Sequence, residues 1–370
     1  MSTRSMNDDT LEFFGILHWN DYSEAQPKPF DVVEPDFVEA CARAHESAGF
    51  DRVLIANSAH RPDSLPIATW AAAVTTRLGF MIAHRPGFIA PTMAARMFAM
   101  LDRMSGGRCA VHIITGADDT ELRADGDYST KDDRYRRSHE YVEVMRKVWS
   151  ADAPFDHAGE FYRVEGAFAH VRPQAGIPIF WGGSSPASIE YGARAADVYA
   201  FPGFPAAALR EPAREVLTRA RALGRAPALL TSLRVLVADT DAQAWERAHA
   251  IQDRLIAEVV DNGRFPIRPG ETRRAAIERA KAQANDGALD GLLWAGITRV
   301  PTGRPALGCL VGSHDRVAAA IMEYHAAGFS RFIVSGYDPI PDALLFGEKL
   351  IPRVKALKGA RCAKASTSSA

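Results

Sequence analysis

A closed α/β barrel of eight strand–helix units is the fold this 370-residue sequence predicts. Three observations predict it. Short apolar, β-branched runs alternate with helical patterns along most of the chain; the units number eight; and the length suits one large barrel. Near-continuous apolar strands such as CAVHIIT at 109–115 fit strands covered by helices on the outside.

The elements follow in order. Leu11 to His18 (LEFFGILH) predicts a first strand, Asp36 to Gly49 a helix closed by glycine, and Asp51 to Asn57 (DRVLIAN) a second strand. A helix over Leu65 to Thr76 leads to a strand over Arg77 to Ala83, and a Pro91-initiated helix leads to a strand over Arg108 to Thr115. After a helix from about Arg134 to Trp149, aromatic and glycine punctuation over about 155–172 predicts a β-hairpin insertion. Strand Ile177 to Trp181 then precedes helix Pro186 to Ala195, and strand Asp197 to Phe201 precedes helix Ala206 to Leu223. Strand Ala228 to Val237 precedes a helix from Ala242; helix Arg316 to Ala327 and strand Arg331 to Ser335 complete the eight. Between about 262 and 312 the period lapses into charged helical sequence and a Pro/Gly-rich stretch, expected to be a lid insertion carrying Arg299 and Arg304. Residues 1–10 and the tail 358–370 are expected to be disordered, leaving 11–357 as one domain.

Composition narrows the function. Forty-four Lys+Arg against 45 Asp+Glu give a net charge of -1, without the basic surplus that binding a phosphate backbone requires, so no nucleic-acid partner is expected. The acidic start MSTRSMNDDT has no apolar h-region, and no apolar run approaches the roughly 18 residues of a membrane span. A cytoplasmic protein is expected. Four cysteines stand far apart, with neither zinc-ligand nor disulfide-framework spacing.

In a barrel the chemistry sits on loops after the strands' C-terminal ends. The clearest signal there is Trp181-Gly182-Gly183-Ser184-Ser185-Pro186: two glycines let a backbone approach a ligand, Ser185 suits an N-cap, and the helix start suits an anionic phosphate. A plain capped turn is the competing reading. Thr115 ends the fourth strand and can reach a ring carbonyl or nitrogen; Tyr135 opens the next helix and can stack or bond phosphate, or simply pack in the core. GxGxxG after the first strand, P-loop, HExxH and GxSxG motifs are absent, which removes dinucleotide folds, zincins and Ser-elbow hydrolases.

The stretches RVLIA, IAHRPGFIAPTMAARMFAMLDRMSGGR, TGADDTEL, DDRYRRSHEYVEV, IPIFWGGSSPAS, LLWAG, LVGSHDRVAAAIMEYHAAGF and FIVSGYDP resemble the bacterial luciferase-like flavin-dependent monooxygenases. Within these they are most similar to the alkanesulfonate monooxygenases, over about Phe14 to Lys349. The resemblance implies a TIM-type (β/α)8 barrel with an insertion after the seventh strand, and reduced FMN supplied as a diffusing co-substrate by a separate NAD(P)H-dependent flavin reductase. On matching positions it implies that Thr115, Tyr135, Gly183, Ser184 and Ser185 line the flavin and its phosphate, with Asp63 and Arg85 near the ring. A homo-oligomer is implied as well.

For a sulfonate the expected products are an aldehyde and sulfite, which requires cations against the anion and a group controlling protons. Arg234 on the seventh strand, Arg299 or Arg304 on the insertion, and Tyr337 after the last strand are the candidates, with His18 and His60 as further proton-active groups. Several positions depart from the family. SAHRPD puts His60 or Arg61 where a cysteine is usual; a strand arginine and histidine fall on Ser232 and Arg234; a tryptophan falls on Pro202 and a histidine on Lys131. The cofactor positions persist while the substrate positions differ. The alternatives are therefore a luciferase-like monooxygenase of an alkane, aldehyde, sulfone or amine, a deazaflavin-dependent oxidoreductase, and a non-catalytic flavin-binding relative.

Overall fold

The computed structural model describes residues 10–23, 31–116, 118–174, 176–285, 292–297, 299 and 308–367, with side chains as far as 360. The first half of the chain runs β1 (Glu12–Ile16), α1 (Pro35–Ser47), β2 (Arg52–Ile55), α2 (Ser64–Val74), β3 (Gly79–His84), α3 (Pro91–Ser105), β4 (Cys109–Ile113), α4 (Asp119–Ala124) and α5 (Lys131–Ser150). The antiparallel hairpin β5 (Phe155–Ala158) and β6 (Arg163–Ala167) follows, then β7 (Ile179–Gly182), α6 (Pro186–Ala195), β8 (Val198–Phe201), α7 (Ala206–Ala222), β9 (Ala228–Ala238) and α8 (Asp241–Asp261). The last part holds α9 (Arg273–Asn285), β10 (Leu293–Trp294), β11 (Cys309–Ser313), α10 (His314–Ala326), β12 (Phe329–Ser335), α11 (Pro339–Leu345) and, after one π turn, α12 (Ile351–Thr367).

Eight strands close in the order β1-β2-β3-β4-β7-β8-β9-β12, every neighbouring pair parallel, with β12 returning to β1. These are the eight strands the alternation predicts. Local chemistry explains the helix boundaries. Asp63, Thr130 and Ser185 accept main-chain N–H groups at the starts of α2, α5 and α6, and Thr240 with Gln243 forms a reciprocal capping box on α8. At the end of α3, Gly106 turns left-handed at φ 73°, so that Gly106 N–H reaches the carbonyl of Arg103 and Gly107 N–H that of Asp102.

Two apolar layers follow from the period of two along each strand. Phe14, Met81, Ala110, Phe180, Leu230 and Ile333 fill the barrel interior. Their neighbours Phe13, Phe80, Ile82, Val111 and Val334 point outward under the helices. Each large side chain buried this way contributes roughly 1.5–3 kcal/mol.

Within 262–312, the expected lid insertion, the described residues include α9, β10 and most of β11. α9 packs Ala276, Ala280 and Ala284 with Ile251, Leu255 and Val259 of α8. β11, a strand the alternation does not isolate, adds to the upper half of the eleven-residue β9 over Arg234–Ala238, with β10 antiparallel on its far edge. Arg304 lies outside the described residues. α12 extends through the tail as far as Thr367, carried by the high helix propensity of Ala, Lys and Arg. Among the described residues no helix is long and apolar enough to cross a membrane.

Candidate active site at the barrel mouth

The C-terminal ends of the strands form a concave mouth. One layer below it Phe14, Met81 and Phe180 are sealed, whereas Ile16, His18, Asn57, Thr115, Gly182, Gly183, Ser232 and Arg234 at the rim are only half-buried. This is where a closed barrel leaves room for a ligand.

One wall is the turn from β7 into α6. Gly183 stands at φ 135°, and a Cβ there would fall 2.4 Å from Ser188 Oγ and 3.0 Å from Tyr135 Oη, so only glycine lets the chain pass. The turn is fixed from behind: Ser188 Oγ donates to the Gly182 carbonyl at 3.0 Å, and Tyr199 Oη donates to the Gly183 carbonyl at 3.1 Å. Ser185 Oγ accepts the Ser188 N–H at 3.3 Å, so this hydroxyl caps the helix. Ser184 is exposed and makes no hydrogen bond with the described residues. Tyr135 is buried, its ring centre 6.3 Å from that of Trp181. Thr115 follows β4 two residues beyond the Ile113–Trp181 pair, a register that brings it level with Gly183. Four expected cofactor residues, Thr115, Tyr135, Gly183 and Ser184, thus share one side of the mouth. His112, one strand layer lower beside Gly182, is held neutral by burial, its pKa pushed down to about 4.

Asp63 and Arg85 are engaged by groups of the protein itself. Asp63 is exposed and caps α2 through the Leu65 N–H at 2.9 Å. Arg85 is drawn into ion pairs with Asp125 and, at 3.5 Å, with Glu121 of α4. Glu121 also accepts the Ala59 N–H at 3.0 Å, so the loops after β2, β3 and β4 are laced together. Arg134 adds a 2.9 Å pair to Asp119, and Arg137 pairs with Asp127. The sequence reading missed this clasp because its acids are spread over a loop with no motif of their own. His60 stands exposed on the loop after β2, beside Arg61, whose guanidinium lies 5.6 Å from the Trp19 ring centre.

A second wall, beginning two strands round the barrel from β7, belongs to β9, β12 and the loop after it. Arg234 lies over the ring of the buried Tyr337, 4.1 Å from its centre, a cation–π contact. Behind them lies the buried Cys309, its thiol directed to the Leu310 carbonyl at 3.7 Å and pushed up to about 12 by burial. Asp342 accepts the N–H groups of Tyr337 at 2.7 Å and Asp338 at 2.9 Å, and both carboxylates are paired with Arg247. The Tyr337 loop is therefore rigid. Arg299 is half-buried on the insertion, its N–H bonded to the Ala295 carbonyl at 2.9 Å.

Comparison with known proteins agrees with this architecture. The chain is similar to a riboflavin lyase solved with modified FMN and riboflavin (20% identity, 94% of this chain and 92% of that one, TM-score 0.73). It is similar as well to DmoA from Hyphomicrobium sulfonivorans (18%, 94% and 88%, 0.73) and to the long-chain alkane monooxygenase LadA (18%, 94% and 92%, 0.73). At these identities the likeness shows the shared barrel. The family model of the luciferase-like monooxygenases matches residues 13–331, and the chain belongs to that family.

Proposed function

We propose that this chain is the oxygenase of a two-component, FMNH2-dependent system that cleaves the C–S bond of a small organosulfonate. The overall change is RCH2SO3⁻ + FMNH2 + O2 to RCHO + SO3²⁻ + FMN + H2O + H⁺. The observation that carries it is Arg234, a half-buried guanidinium at the mouth of a flavin-monooxygenase barrel, two strands round from the Gly183–Ser185 turn.

The turn fits a flavin phosphate. A bare glycine backbone, an unengaged Ser184 hydroxyl and the first amides of a capped ten-residue helix converge there, as an anion requires. When bound, reduced flavin supplies the electrons that activate O2. The protein's own residues do the rest. Tyr135 and Thr115 flank the phosphate turn; the interior apolar layer below the mouth keeps water from the ring side; Arg234 neutralises the sulfonate; and Tyr337 holds Arg234 in place. A separate NAD(P)H-dependent reductase supplies FMNH2.

The expected homo-oligomer has a physical counterpart on α2 and α3. Met93, Met97, Met100 and Met104 form one stripe, and Trp70, Met93, Met100 and Met104 are 51, 47, 50 and 66% exposed. A face of that composition favours a two-fold partner presenting the same face.

The test is aerobic turnover with FMN, a flavin reductase and NAD(P)H against a panel of C1 to C10 alkanesulfonates. The proposal expects sulfite from at least one of them. Turnover of sulfones, alkanes or aldehydes without sulfite would replace the substrate, and reduction of a deazaflavin instead of FMN would replace the cofactor.

A further inference from the structure

We propose that His112 is a further cofactor-binding residue: from the floor of the mouth beneath Gly182, its imidazole hydrogen-bonds the uncharged riboflavin portion of the flavin. The strand pattern puts it there. The alternation that turns Ala110 of β4 into the barrel and Val111 outward returns His112 to the interior, one step nearer the mouth. Ala110 and Phe180 below are sealed, whereas His112 is only half-buried. It is the imidazole on the interior side of β4, the strand that Thr115 follows at the rim.

The surroundings of the ring offer it nothing polar from a side chain. Its paired neighbours in the sheet are Ala83 on β3 and Phe180 on β7. Above it, Gly182 is bare: a Cβ at that position would fall 3.1 Å from His112 Cε1 and 3.4 Å from Nε2, so the ring edge packs on glycine backbone. His112 Nδ1 is buried and has no hydrogen-bond partner among the described residues. Interior polar atoms are satisfied in almost every protein, so an orphan ring nitrogen beside a ligand mouth points to a partner that arrives with the ligand.

The chemistry of the ring selects that partner. Held neutral, an imidazole presents one N–H donor and one bare nitrogen, which suits carbonyls, ring nitrogens and hydroxyls. A phosphate calls instead for the main-chain amides and hydroxyl of the Gly183–Ser185 turn at the rim. With the phosphate seated on the turn, the layer beneath it falls to the uncharged part of the cofactor.

This inference rests on the flavin reading of the mouth. Its test is anaerobic fluorescence titration of the wild type, His112→Leu and His112→Asn with reduced FMN and with reduced riboflavin, beside thermal melts that report an intact fold. Loss of one hydrogen bond predicts a Kd raised about 10-fold for both flavins in His112→Leu. His112→Asn, whose amide keeps a donor and an acceptor, should stay within about three-fold of the wild type. An unchanged Kd in His112→Leu, a loss confined to FMN, or an equal loss in the two variants would overturn it. The two readings fail separately. Equal affinity of the wild type for both flavins, with the loss in His112→Leu intact, leaves His112 and removes the phosphate turn; a phosphate advantage with an unchanged Kd in His112→Leu does the reverse.

Discussion

Arg234 rests 4.1 Å from the ring centre of Tyr337, a cation held against an aromatic face at the mouth of the barrel. The arrangement separates two contributions of the tyrosine. The ring face positions the guanidinium, whereas the hydroxyl takes no part in that contact.

Arg234→Ala should raise the sulfonate KM by at least about 10-fold, because a half-buried charge partner is removed, while the Kd for FMN stays within about two-fold. Tyr337→Phe keeps the ring under Arg234 and should leave KM within about three-fold. Steady-state sulfite assays beside flavin titrations check both.

Ser184 and Ser185 should part company. Ser185→Ala removes the α6 cap and should cost about 1 kcal/mol of stability. Ser184→Ala, at an exposed and unengaged hydroxyl, should leave the Tm unchanged and weaken FMN binding. Gly183→Ala should do both, since its Cβ meets Ser188 in a left-handed backbone. Thermal melts with and without FMN distinguish the three.

Acid should destabilise the protein through its buried histidines. Burial pushes His45, His84 and His112 each down to about 4. Between the ordinary imidazole range and about 4 the unfolded chain binds more protons than the folded one, so stability falls as pH drops through that window. The slope is on the order of 1 kcal/mol per pH unit for each ring. Urea midpoints at pH 7, 6 and 5 should decline steadily, and a flat profile would show that these rings are solvated.

Glu140 should pin the β5–β6 hairpin. Burial opposes its ionisation, but the N–H groups of Phe161 and Tyr162 and the ring of His157 outweigh burial and hold the carboxyl below its ordinary value. Its stabilisation is therefore complete above the usual carboxylate range and is lost as pH falls below it. Glu140→Gln should cost about 1–3 kcal/mol at pH 7, measured by urea unfolding, and should narrow the difference between pH 7 and pH 4.

The barrel was legible because strand period, helix caps and glycine stops each act within a few residues. Gly183 and Ser185 are local signals in the same sense, and the structure adds only that Ser185 turns its hydroxyl to the helix. Long-range partners were not legible. The Glu121–Arg85 clasp joins residues 36 apart through a loop with no period, and β11 reads as a Pro/Gly coil until β9 supplies its neighbour.

The central claim is that the Gly183–Ser185 turn holds a flavin phosphate at the barrel mouth. Anaerobic titration with reduced FMN and reduced riboflavin tests it most directly, because the two ligands differ only in that phosphate. The account predicts at least about 10-fold tighter binding of reduced FMN, with the advantage diminished in Ser184→Ala. Equal affinity for the two flavins, or no association of either, would contradict it.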